Sequence, residues 1–121
     1  MTQFTKKYDL EERTAMFGGE IITFCKSIRE TTISKPIINQ LIRSATSIGA
    51  NYMEANGASS RSDFRNKIFI CKKESQETKH WLRMLGIYDL SLKEKILPLW
   101  QEAQSLTMIF QKITSSLNKR V

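Results

Sequence analysis

Residues 61–85 read RSDFRNKIFICKKESQETKHWLRML. Within this stretch Phe64, Ile68, Cys71, Ser75, Thr78, Leu82 and Leu85 recur at alternating spacings of four and three. Residues so spaced share one face of an α-helix. A seven-residue repeat sustained over several turns is the seam of left-handed helix packing. The same period runs through Leu10, Thr14, Phe17, Ile21, Phe24 and Ile28, and through Leu41, Ala45, Ile48, Tyr52 and Ala55. It returns in Leu99, Ala103, Leu106, Phe110, Ile113 and Leu117. No window alternates apolar with polar residues, so strands are not expected.

The punctuation between these stripes agrees with four helices, over about residues 9–29, 36–56, 62–86 and 92–119. Thr31 to Pro36 separates the first from the second, with Ser34 as N-cap and Pro36 near the first turn. Asn56-Gly57-Ala58-Ser59-Ser60 separates the second from the third, and Ser60 or Ser62 supplies the cap. Ser91-Leu92-Lys93-Glu94 reads as a capping box for the fourth. Pro98 then lies inside that helix and kinks it, or the long part of the helix begins at Leu97. Each helix is about 30 Å long at 1.5 Å per residue. Short connections place successive helices antiparallel, so the expected fold is all-α, an up-down-up-down four-helix bundle.

The bulk numbers are consistent with this. A chain of 121 residues has room for one core, and its sequence shows no internal repeat or linker. Forty per cent hydrophobic and 26% charged residues exclude collagen-like, low-complexity and disordered classes. Nineteen Lys and Arg against 12 Asp and Glu leave a net charge of +7. That excess favours polyanionic partners, namely nucleic acid, an acidic protein surface or anionic lipid, or else serves solubility. Cys25 and Cys71 both sit in apolar stretches, which points to buried free thiols and a reducing cytoplasm. Met1 to Lys7 lacks an apolar signal segment, and no apolar run approaches the roughly 18 residues of a membrane span.

The third helix differs on the two sides of its seam. One flank carries Arg61, Arg65, Phe69, Lys72, Gln76, Lys79 and Arg83, which is five cations, one aromatic and no acid. The other carries Lys67, Ile70, Glu74, Glu77, Trp81, Met84 and Tyr88. The basic line suits phosphate contact, with Phe69 available for a base or a neighbouring chain. Its plain alternative is a solvated face whose long stems cover apolar surface. The second helix adds a polar line of Gln40, Ser44, Ser47, Asn51 and Glu54. Asn51, Glu54, Ser75 and Glu77 then form either a pocket or a hydrogen-bonded network that fixes register or a subunit contact.

Catalytic and metal motifs are not found. Glu77-Thr78-Lys79-His80 has the Glu-x-x-His spacing of di-iron bundles, but such sites need two such pairs, and His80 is the only histidine. Two Cys and one His far apart match no zinc spacing. A Cys–His nucleophile pair would need Cys71 out of the core. Gly18-Gly19 lies in a helical pattern without the Lys-Ser/Thr of a phosphate loop. Met16, Met53, Met84 and Met108 read as ordinary packing residues. No cofactor is expected.

The stretch Gln40-Leu41-Ile42-Arg43-Ser44-Ala45-Thr46-Ser47-Ile48-Gly49-Ala50-Asn51-Tyr52-Met53-Glu54-Ala55 resembles the signature of the four helix bundle protein family, also called the 23S rRNA intervening-sequence protein or S23 family. Phe64, Lys67-Ile68, Cys71 to Thr78 and Trp81-Leu82 continue the resemblance over most of the chain. The chain departs from it at Ala55, where many members have Gly, and at Ile42, where many have Arg. The resemblance implies a bacterial, cytoplasmic, non-enzymatic antiparallel bundle. It also implies a homopentameric ring, as in the related accessory proteins of diversity-generating retroelements, which associate with nucleic acid and a reverse transcriptase. The residues that match the family pattern, Arg43, Ser47, Asn51, Glu54, Ser75 and Glu77, are then structural or interfacial. The expected function is an oligomeric bundle that binds RNA or DNA through Arg61, Arg65, Lys72, Lys79 and Arg83. The rival is a protein-interaction module in which this basic line meets Glu74, Glu77 or another acidic surface.

Overall fold

The computed structural model describes residues 9–119, so the Met1–Lys7 stretch lies outside the described residues. Four helices run Leu10–Lys26 (α1), Ser34–Asn56 (α2), Arg61–Tyr88 (α3) and Lys93–Lys119 (α4). A short 3-10 turn covers Leu90–Leu92, and the described residues contain no strand. α1 packs on α2, α2 on α3 and α3 on α4, and a sparser contact between α1 and α4 closes the ring. The α2–α3 interface is the most extensive. No helix of the described residues is long and apolar enough to cross a membrane.

The helix ends show local chemistry overriding periodicity. Asp9 caps α1 by accepting from the Glu12 amide at 3.1 Å, with Glu11 and Glu12 in the first turn. α1 stops at Lys26 rather than at residue 29, because Ser27 Oγ donates to the Phe24 carbonyl at 2.6 Å and the chain turns away. Ser34 is the first residue of α2 rather than its N-cap. Its buried hydroxyl accepts from the Thr31 amide at 2.8 Å and donates to the Arg29 carbonyl at 2.9 Å, fastening the loop before it. Pro36 falls in the first turn, where an absent N–H leaves nothing unpaired. Ser60 caps α3, accepting from the Asp63 amide at 3.0 Å, and α3 continues two residues past the expected end.

α4 begins at Lys93, so Pro98 lies inside it and the start at Leu97 is excluded. The capping box expected at Ser91 does not form. Ser91 sits in the 3-10 turn, and both its amide and its hydroxyl donate to Asp89 Oδ1, at 3.0 and 2.7 Å. Asp89 therefore does the capping one step earlier in the chain.

The seams meet in one core. Phe17, Ile21, Leu41, Ile48, Ile68, Leu82, Leu85, Leu106 and Phe110 are all buried. Threonines share the core without needing partners from other helices. Thr14, Thr107 and Thr114 donate to carbonyls of their own helices at 2.8 to 2.9 Å. Thr78 Oγ1 in addition lies 3.0 Å from Ser44 Oγ, linking α3 to α2. The methionines depart from the sequence reading: Met16, Met53 and Met108 are more than half exposed, because each lies beside its seam rather than on it.

Two consequences are measurable. Gly49 lets α1 and α2 approach, since a Cβ there would stand 3.2 Å from Thr14 Oγ1. A Cβ on Gly19 would meet nothing within 4 Å. Gly19→Ala is therefore expected to raise stability by about 0.5–1 kcal/mol through backbone entropy. Gly49→Ala should show no such gain, with urea midpoints as the check. Burial pushes the Cys25 and Cys71 thiols up, to about 11 and about 12. Both stay protonated near pH 8 and are expected to ignore a disulfide reagent until the chain is unfolded in urea. The shifted thiols stabilise the fold fully below the ordinary value of 9.0, and that contribution is lost as pH rises toward 11 to 12.

Candidate nucleic-acid interface

The seam of α3 sends its two flanks to different neighbours. On the α2 side the acids meet cations. Arg43 of α2 reaches Glu74, at 3.3 Å from Oε1 and 3.4 Å from Oε2, and also bonds Glu77. Gln40 Oε1 accepts from Arg43 Nε at 3.1 Å and orients the guanidinium. The Glu74 carboxylate, with Glu77 behind it, raises the Arg43 pKa above its ordinary value. Glu74 is buried, and its Oε1 makes only the electrostatic contact, without hydrogen-bond geometry. Toward the start of α3, Lys67 pairs with Glu54 at 2.7 Å, and this hydrogen bond raises the Lys67 pKa.

On the α4 side the cations meet neutral groups. Arg61 Nη2 donates to the Leu117 carbonyl at 2.7 Å, near the negative end of α4. Arg65 Nε donates to Asn118 Oδ1 at 2.8 Å, and its guanidinium lies 5.0 Å from the Phe69 ring centroid. Lys79 donates to Gln104 Oε1 and sits 5.3 Å from the Trp100 ring centroid. Lys72 is half-buried beside Phe69 and Gln76 along a shallow surface depression, and Arg83 is exposed. None of these five cations is in an ion pair among the described residues.

The remaining polar residues do not converge. Ser47 donates to the Arg43 carbonyl at 2.6 Å, Asn51 to the Ser47 carbonyl at 2.9 Å, and Ser75 to the Cys71 carbonyl at 2.9 Å. Each is occupied by its own helix. Glu54 and Glu77 belong to two separate ion pairs. His80 is exposed, stacked edge-on against Trp81, and no cluster of His, Cys, Asp and Glu among the described residues could hold a metal ion.

A model of the 23S rRNA-intervening sequence protein family matches residues 6–112. The chain belongs to the 23S rRNA-intervening sequence protein family. A solved structure from Bacteroides thetaiotaomicron, described as a protein of unknown function from the S23 ribosomal protein family, is similar over 87% of this chain and 97% of that one. Its TM-score is 0.78 and its sequence identity 29%. No curated protein matches the chain.

In this intervening-sequence protein the family-pattern residues thus divide by role. Arg43, Glu54 and Glu77 tie α2 to α3, while Ser47, Asn51 and Ser75 bond within their helices. Sequence reasoning missed Lys67 and Glu74 as their partners, although both stand on the flank that carries Glu77. It also missed Arg13, whose guanidinium bonds Glu102 at 2.7 and 2.9 Å and Ser105 at 3.0 Å across the α1–α4 cleft. That pair is 89 residues apart and only ring closure brings it together.

Removing Arg43 strands a buried carboxylate. Arg43→Met is expected to lower stability by about 1–2 kcal/mol in urea unfolding. Lys67→Met should cost clearly less, because that pair is solvated.

Proposed function

We propose that this protein is a non-enzymatic helical bundle that binds nucleic acid through the α3–α4 seam, pooling the charge of several copies in a homo-oligomer. The observation that supports this reading most is charge sorting. Glu74 and Glu77 of α3 are held by Arg43 of α2, while Arg61, Arg65 and Lys79 bond neutral groups of α4, and neither Lys72 nor Arg83 is in an ion pair among the described residues. Contacts of this kind orient a cation without cancelling it. Such a line tracks a phosphate backbone, whose charge repeats whatever the bases are. Binding is then tolerant of sequence and steep in salt.

The rival reading, with this line docked on Glu74 and Glu77 of a neighbouring copy, has less support. Arg43 of the same chain already holds both carboxylates, and Glu74 is buried. Cyclic repetition would multiply a weak patch into a strong one.

Fluorescence anisotropy with labelled single-stranded RNA and DNA at two salt concentrations tests the reading. The double variant Arg65→Glu, Lys72→Glu is expected to bind about tenfold or more weakly, with a shallower dependence on salt. Its circular dichroism should stay helical. Equal binding by variant and parent would remove this line from the function, and salt-independent binding would remove phosphate contact as its basis.

A further inference from the structure

Where α3 ends and α4 begins, the bundle shows apolar surface that the core does not use. Ile87 is 65% exposed, Leu90 70%, Leu97 56% and Trp100 37%. They line a groove walled by Arg83 on α3 and Lys93 on α4. So much contiguous apolar surface on a small bundle marks a contact site.

The groove is a held shape. Asp89 accepts from Ser91 and fixes the 3-10 turn, which packs Leu92 against the core and leaves Leu90 outside. Gly86 lies in the floor, where a Cβ would make an ordinary contact with Ile96 Cδ1 at 3.6 Å. Lys93, Leu97 and Trp100 follow at spacings of four and three, so the α4 wall is one stripe of that helix, with Leu90 of the 3-10 turn preceding it.

Its charge is of one sign. No carboxylate lines the groove among the described residues, and neither Arg83 nor Lys93 is ion-paired there. Lys79 over the Trp100 ring adds a third positive charge at the rim. An occupant must supply large apolar side chains in a row and negative charge at the margins. A nucleic acid supplies the charge but leaves Ile87, Leu90 and Leu97 in water. A second copy paired groove to groove would set Arg83 and Lys93 against cations, so a copy of this chain could fill the groove only head to tail.

We propose that this groove docks an acidic amphipathic helix of a partner protein. Its apolar face would lie on Leu90, Leu97 and Trp100, with carboxylates beside Arg83 and Lys93. The proposal does not rest on the nucleic-acid reading, although the groove borders that line and shares Arg83 and Lys79 with it.

The probe is a fluorescein-labelled synthetic helix with Leu on one face and Glu on the other, titrated against the full chain. A twin with Lys in place of Glu is the control. The Leu/Glu helix is expected to bind at least about tenfold more tightly than the twin, and Leu97→Asp or Arg83→Glu to weaken it about tenfold. Both side chains are exposed, so the thermal midpoint should hold. Equal affinity for the two helices, or undiminished binding to Leu97→Asp, would overturn the proposal. Displacement of the peptide by an oligonucleotide from parent and Arg65→Glu, Lys72→Glu chains alike would instead assign the groove to nucleic acid. Loss of self-association in Leu97→Asp by light scattering would assign it to a second copy.

Discussion

Burial of one seam of α3 governs what the rest of the surface can be. Ile68, Cys71, Ser75, Thr78, Leu82 and Leu85 are all inaccessible to water. With that face fixed against the other helices, a helix has only two flanks left, and the intervening residues must lie on one or the other. Phasing thus turns a run of mixed charges into an acidic flank beside α2 and a basic flank beside α4. A one-residue shift of phase would bring Lys72 and Lys79 toward the core and break the sorting.

The interior, by contrast, is chemically closed. Buried threonines return their hydroxyls to their own helices, so the core carries polar side chains without a converging polar site. Serine and asparagine on the flank of α2 behave alike. The thiols are held protonated by burial. Arg43 is the main polar crosslink between α2 and α3, and it works because Glu74 is withdrawn from water while Arg43 still reaches it. Any interaction with another molecule falls to the outer faces.

The fold was readable because heptad burial is a one-dimensional signal: Phe17, Ile48, Leu82 and Phe110 announce themselves by spacing alone. Helix ends were less readable. Ser34 and Ser91 belong to residue types that cap helices, yet each found a stronger local partner, the Arg29 carbonyl in one case and Asp89 in the other. The exposed methionines failed for a related reason, since position beside a seam looks like position on it until neighbouring helices are placed. In the candidate site, the basic line was legible as a line. Its neutral partners, Leu117, Asn118 and Gln104, were not, because they lie on α4 and depend on how the bundle closes.

Those neutral partners bear on how the line would act. A free surface lysine loses rotamer freedom when it meets a phosphate, and an ion-paired one must first give up its carboxylate. Arg61 and Arg65 face neither cost in full. The Leu117 carbonyl and the Asn118 amide oxygen hold them in place, and Phe69 flanks the Arg65 guanidinium. Each guanidinium keeps donors beyond the one those contacts use, since five N–H groups are available per side chain. The α4 terminus accordingly does double duty in the geometry: its exposed carbonyl end gains a positive neighbour, and the neighbour gains a fixed direction. A line of cations arranged in this way presents to a polyanion a potential already assembled before contact.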